Sequence, residues 1–120
     1  MLKVLEGDRT KFRLNTTINL NGTLVKYPLM TIFNVYKDEV GNILFFHGKF
    51  LDPSLNVFYF IITVHLNGNE IKNINTEKEA ISMLKKYSYR IGVFNRDTEI
   101  DKYYERMNSI LEKYNNEVSR

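Results

Sequence analysis

The sequence predicts an α+β fold: an antiparallel β-meander that closes into a small, partly open barrel, followed by two C-terminal helices. Three observations predict it. From Lys11 to Leu66 the chain reads as a series of short strands, cleanly alternating over Lys11 to Leu20 and apolar on both faces by Leu55 to Leu66. Turn-forming residues interrupt that pattern at Asn21-Gly22, Asp38–Asn42, Asp52-Pro53-Ser54 and Asn67–Asn69. After Thr76 the apolar spacing changes to that of a helix. Short twisted strands joined by tight turns commonly close into barrels, and the helices would pack across one opening. The 120 residues fit one domain, 1–120, strand-rich over 1–75 and helical over 76–120.

The elements follow in order. Lys11 to Leu20 alternates, with Phe12, Leu14, Ile18 and Leu20 on one face and Lys11, Arg13, Asn15, Thr17 and Asn19 on the other. Asn21-Gly22 is the preferred pair for a type I′ hairpin turn. The return strand carries Val25, Tyr27 and Leu29 on one face. Pro28 cannot donate to a ladder, so it places this strand at an edge or a bulge. Met30–Tyr36 and Ile43–Leu51 are the next strands. Leu55 to Leu66 is apolar on both faces, which predicts a central strand with a core on one side and a helix on the other. Glu70–Ile74 reads as a last short strand. Thr76-Glu77-Lys78-Glu79 has the form of a capping box, and Ala80, Ile81, Leu84, Tyr87 and Ile91 extend a helix from it. Gly92 suits the left-handed position past that helix. Asp97 or Thr98 caps a second helix with an apolar stripe of Ile100, Tyr103, Met107, Ile110 and Tyr114. The stripe packs on the domain's own sheet or, alternatively, forms a homodimer seam.

Composition narrows the function. The chain is 43% hydrophobic and 26% charged, which excludes a disordered class, and its net charge of +3 leans basic. Its aromatic residues are eight Phe and eight Tyr, without Trp. The absence of cysteine excludes disulfides, zinc–thiolate centres and thiol nucleophiles and fits a reducing compartment. Met1–Asp8 lacks the apolar core of a signal peptide. The apolar run Val57–Leu66 is half the roughly 20 residues that span a bilayer. The expectation is a soluble, cytoplasmic protein with no membrane partner. With 14 Asn, 11 Lys and 11 Ile against one Ala, the codon bias points to an AT-rich genome, such as a low-GC bacterium or one of its phages or plasmids.

One segment stands out chemically. Lys85 to Arg96 holds four cations, two tyrosines and a phenylalanine, and no acid occurs between Glu79 and Asp97. Cations neutralise phosphates and rings stack on exposed bases, so this mixture points to nucleic acid, with RNA favoured. Lys85, Lys86, Arg90 and Arg96 would meet phosphates, and Tyr89 or Phe94 would stack. On a helix, Lys86 and Arg90 share a face, as do Lys85 and Tyr89. The blander reading is a solvated helix face; an acidic protein partner is the third. Arg9, Lys11 and Arg13 form a second cationic group, with Lys11 and Arg13 on the polar face of the first strand, and a solvated strand face is the plainer reading of it. His47 and His65 lack nearby acids at ligand spacing, so no metal is expected. No nucleophile elbow or phosphate-binding glycine loop is present, and the acids gather at helix starts. No enzyme activity and no cofactor are expected. The alternative to a nucleic-acid module is a phage- or plasmid-encoded inhibitor or adaptor that binds protein.

The strand series from Lys11 to Leu66, the Asn21-Gly22 hairpin and the basic segment Lys85 to Arg96 together resemble small PUA-like RNA-binding proteins. Among these the chain is similar to the PUA-like suppressors of pheromone-induced toxicity carried on Gram-positive conjugative plasmids. That resemblance covers most of the chain. It implies RNA binding and regulation of gene expression rather than chemistry, and assigns no individual residue.

Overall fold

A computed structural model describes residues 2–118, with side chains to residue 114. Alternation in the first half does produce strands. They are β1 (Lys3–Val4), β2 (Lys11–Arg13), β3 (Thr17–Leu20), β4 (Thr23–Lys26), β5 (Leu29–Asp38), β6 (Ile43–Leu51) and β7 (Val57–His65). Helices α1 (Gly68–Lys72) and α2 (Glu77–Met83), strand β8 (Tyr89–Asn95) and helix α3 (Ile100–Val118) complete the chain. The architecture is α+β, with a mostly antiparallel sheet ordered β1-β5-β6-β7-β8. Strand β2 also pairs with β5, and β3–β4 forms a separate hairpin. The sheet is not closed, because β8 pairs only with β7 while β1 and β2 pair only with β5. The expected barrel is therefore replaced by an open sheet with free edges.

Two cores lie on its two faces. Leu44, Phe46, Phe60, Ile62 and Val64 point to one side, where Ile71 of α1, Ala80 of α2 and the β3–β4 residues Ile18 and Val25 join them. Ile43, Phe45 and Ile61 point to the other, beneath Tyr103, Ile110 and Tyr114 of α3. The central position of β7 and the stripe on α3 thus follow the sequence pattern. Since Tyr103, Ile110 and Tyr114 are buried against the sheet, the seam imagined between two copies is occupied within one chain. Among the described residues no helix is long and apolar enough to cross a membrane.

Several turns form as their residues dictate. Asn21 (φ 51°) and Gly22 (φ 102°) are both left-handed, as a type I′ turn requires, and Leu20 pairs with Thr23 across them. Thr76 and Glu79 make the reciprocal capping box of α2. Thr76→Ala is expected to cost about 1 kcal/mol in urea denaturation, because it removes the cap of the Glu79 N–H. An unchanged midpoint would show that the box contributes nothing.

Other expectations are corrected. The strand Glu70–Ile74 is instead α1: the Asn67 side chain accepts from the Glu70 N–H and caps a single helical turn. The buried Lys37 ammonium stabilises its far end, donating to the carbonyls of Ile71 and Lys72 at 3.3 Å each. The helix projected through Ile91 stops at Met83. Tyr89–Asn95 then pairs along the open edge of β7, from Val64↔Tyr89 to Phe58↔Asn95. Gly92 sits inside that strand opposite Ile61 rather than at a helix end, and the helical half of the chain contains a strand. Tyr27 and Leu29 are exposed, not in the core. Pro28 separates β4 from β5, and alternation restarts one residue out of phase, with Met30 and Ile32 inward. A bulge at Phe33 shifts the phase again, so that Val35 is next inward.

Candidate functional site

The α3 face of the sheet is only partly roofed. Tyr103, near the start of α3, lies over Tyr59 at 4.7 Å between ring centroids. Tyr114, further along the helix, covers Gly41, where an added Cβ would come within 2.4 Å of its ring. The sheet beyond Tyr103 has no helix above it. There β2, β5 and β6, with the edge of the β3–β4 hairpin, bound an open cleft of about 700 Å³.

Strand register decides what lines it. Lys11 lies opposite Thr31, and Thr31 opposite Lys49, so these side chains share one face in a row. The same row continues through Tyr59 to Phe94. Arg13 stands two residues from Lys11 on that face, and Lys26 of β4 adds a fourth cation. None of the four has an ion-pair partner among the described residues. Arg13 instead donates from Nη1 to the Tyr27 carbonyl at 3.1 Å, which fixes its stem along the rim. Leu24, Leu29 and Leu51, each about half exposed, form the apolar part of the lining.

The one acid of the lining is already engaged. Asp52 Oδ1 accepts from the backbone N–H groups of Ser54 and Asn56, and Oδ2 accepts from the Asn56 amide. These bonds, the Asn56 side chain foremost, lower its carboxyl below the usual range, so it stays ionised and holds its own turn. The potential in the cleft is accordingly positive.

The backbone around the cleft is strained. Of the five non-glycine residues with positive φ among the described residues, two are asparagines, which tolerate that region. The other three are Arg9 (φ 49°), Tyr27 (φ 47°) and Leu55 (φ 67°), all on segments that border the cleft. Each costs about 1 kcal/mol or more, and such strain persists where surrounding structure holds the chain in place. Arg9 projects its guanidinium over the Phe33 ring at 5.8 Å from the centroid. Phe33, half-exposed at the bulge, also meets Tyr59 edge-on at 5.9 Å.

The structure divides the cations singled out in the sequence. Lys11 and Arg13 come together in the lining of the cleft, while Arg9 lies outside that lining, over the Phe33 ring. The segment Lys85 to Arg96 does not act as one surface, because strand alternation sends its members to opposite faces. Tyr89 points to the α1/α2 side, packed on that core and half-buried, with burial raising its hydroxyl pKa. Lys85 borders a small hollow on that side with Tyr89, and Lys86 is exposed. Arg90 and Phe94 point to the α3 side, where Phe94 packs edge-on against Tyr103 at 5.9 Å. Arg96 is tied to Asp97 at 3.2 Å. Lys86 and Arg90 therefore share no face, because the chain between them is not helical. Lys26 and Lys49 were missed. Lys49 stands out locally as the one Lys, Arg, Asp or Glu of an otherwise apolar strand, but only the pairing of β5 with β6 sets it on the row it shares with Lys11 and Thr31.

His47 is structural in its surroundings. It is 7% exposed, its ring near-parallel to those of Tyr36 and Phe45, which also contact each other, and its Nδ1 shares a 2.7 Å hydrogen bond with the Tyr103 hydroxyl. Burial lowers its pKa to about 4, so it is neutral at pH 7. Burial likewise raises the Tyr103 hydroxyl well above its ordinary value. Compared with known proteins, the chain matches no family model, no curated protein and no solved structure.

Proposed function

We propose that this protein is a non-enzymatic, regulatory nucleic-acid-binding module that takes RNA or another single strand in the open cleft. One observation carries the reading: four cations without an ion pair among the described residues face a cleft whose single acid is committed to its own turn. Phosphates are the ligands that such a surface neutralises. The cleft is concave, and reading a duplex in its major groove calls for a protruding helix or ribbon, so a flexible strand fits better. Phe33, half-exposed and edge-on to Tyr59, offers ring surface to an unstacked base. A PUA-like affinity and an origin on a mobile element belong to the same proposal; the first rests on the resemblance alone, the second on the resemblance and the AT-rich composition.

The test is a binding titration with RNA, single-stranded DNA and duplex DNA at several salt concentrations. Affinity for single strands is expected to fall linearly on a log–log salt plot. Lys11→Ala with Lys49→Ala should reduce the slope by roughly one unit per lost phosphate contact, while Lys86→Ala leaves it unchanged. Absence of binding at low salt would overturn the proposal. A second reading, an acidic protein segment in the cleft, draws on the exposed Leu24, Leu29 and Leu51. It predicts that replacing these leucines, rather than the lysines, has the larger effect. The other apolar surfaces that could hold a protein, β7 and the α3 stripe, are largely covered.

A further inference from the structure

On the same face of the sheet, at the β8 edge, α3 does not close fully onto β7 and β8. Two adjoining hollows of about 260 Å³ each remain, and Thr63, Arg90 and Arg106 line both. Arg90 and Thr63 are cross-strand partners, so their side chains emerge together. Arg106, Ser109 and Lys113 line the first hollow from one side of α3, at spacings of three and four. His65 lies two residues from Thr63 on the same strand face. No carboxylate lines either hollow, although α3 carries Asp101, Glu105 and Glu112 elsewhere on its surface. Neither Arg90 nor Arg106 has an ion-pair partner among the described residues. Lys113 sets its ammonium 5.4 Å from the Tyr114 ring centroid, which holds its stem against the helix.

We propose that this hollow is a second anion site, separate from the cleft, that binds the phosphate group of a phosphate monoester. The chemistry is specific in two ways. Two guanidinium groups from different elements converge on one small space, and planar forks match the oxygens of phosphate in a way that an ammonium does not. The hydroxyls of Thr63 and Ser109 supply further donors at the same space. Like charges facing a shared hollow repel, and a dianion between them reverses the sign of that interaction. The size suits one phosphate with little more than its ester group, in contrast to the elongated cleft near Lys11.

The site stands whether or not the cleft binds nucleic acid, and the experiment keeps the two apart. Inorganic phosphate, adenosine monophosphate and a short oligonucleotide with or without a 5′-phosphate are titrated while backbone amide NMR shifts are followed. Saturable shifts at millimolar phosphate are expected at Arg90–Gly92 and around Ser109, without shifts at Lys11 and Lys49. Arg106→Gln and Arg90→Gln, both at exposed positions, should each weaken binding about tenfold with unchanged amide dispersion. The Lys11→Ala, Lys49→Ala variant should bind phosphate as the parent does. Tighter binding of adenosine monophosphate than of inorganic phosphate assigns the source to small phosphate esters. Preference for the 5′-phosphorylated oligonucleotide over the hydroxyl form assigns it to strand ends. Failure of any phosphate compound to give saturable shifts at this hollow, or affinity unchanged from the parent in both arginine variants, would overturn the site.

Discussion

Phe45→Ala and Phe46→Ala are each expected to destabilise the fold by about 3–5 kcal/mol, the cost of deleting a buried ring and leaving a cavity. The two residues are sequence neighbours, and both are fully buried. In a sheet with one covered face, adjacent residues behave oppositely, one buried and one solvated. Here Phe46 packs in the core under α1 and α2, while Phe45 packs under α3 and stacks on Tyr36 at 5.6 Å. Small domains hold only about 5–15 kcal/mol in total, so either change brings the fold near its limit. Urea denaturation of the two variants measures both effects. A large loss for Phe46→Ala with a silent Phe45→Ala would mean that α3 does not cover the sheet as described, and the hollow beside Arg106 would fall with it.

Acidification gives the second large effect. The folded-state pKa of His47 is lowered by burial from 6.5 to about 4. In the unfolded chain this imidazole binds a proton as pH falls through about 6.5, whereas the folded protein resists until about 4. Between those values the unfolded state holds more protons, so stability increases with pH. The contribution is fully present above about 6.5 and lost as pH falls to about 4, amounting to about 3 kcal/mol. His47→Phe removes the titration and leaves the Tyr103 hydroxyl without its 2.7 Å partner. That variant should be less stable at neutral pH but show a flatter profile from pH 7 to 4 in denaturant titrations. If its slope equals that of the parent, the acid sensitivity arises from other groups.

Legibility in the sequence followed the range of the interactions. The Asn21-Gly22 hairpin, the Thr76–Glu79 capping box and the α3 stripe rest on residues within a few positions of one another, and all three form. Leu84, Tyr87 and Ile91 fit a helical period and so predict a helix through Ile91, although Tyr89, Ile91 and Val93 fit an alternating one as well. Short apolar runs satisfy both. The open edge of β7 settled it, since seven residues of β8 pair there. α1 was illegible for another reason: five residues are too few to show a period, and Ile71 is the only one of them buried.

The sequence by itself determined a basic, cysteine-free α+β domain, its strand-rich beginning and the two-sided burial of β7. Those properties depend on composition and on local periodicity, which the chain carries wherever it folds. Only the tertiary structure decided that the sheet stays open, that Lys85 to Arg96 divides between two faces, and that Lys11, Arg13, Lys26 and Lys49 line one cleft. Register is the physical reason. A one-residue bulge at Phe33 or a break at Pro28 exchanges inside for outside. The partner of a strand is often chosen by residues far along the chain, as where Lys3 of β1 pairs with Lys37 of β5.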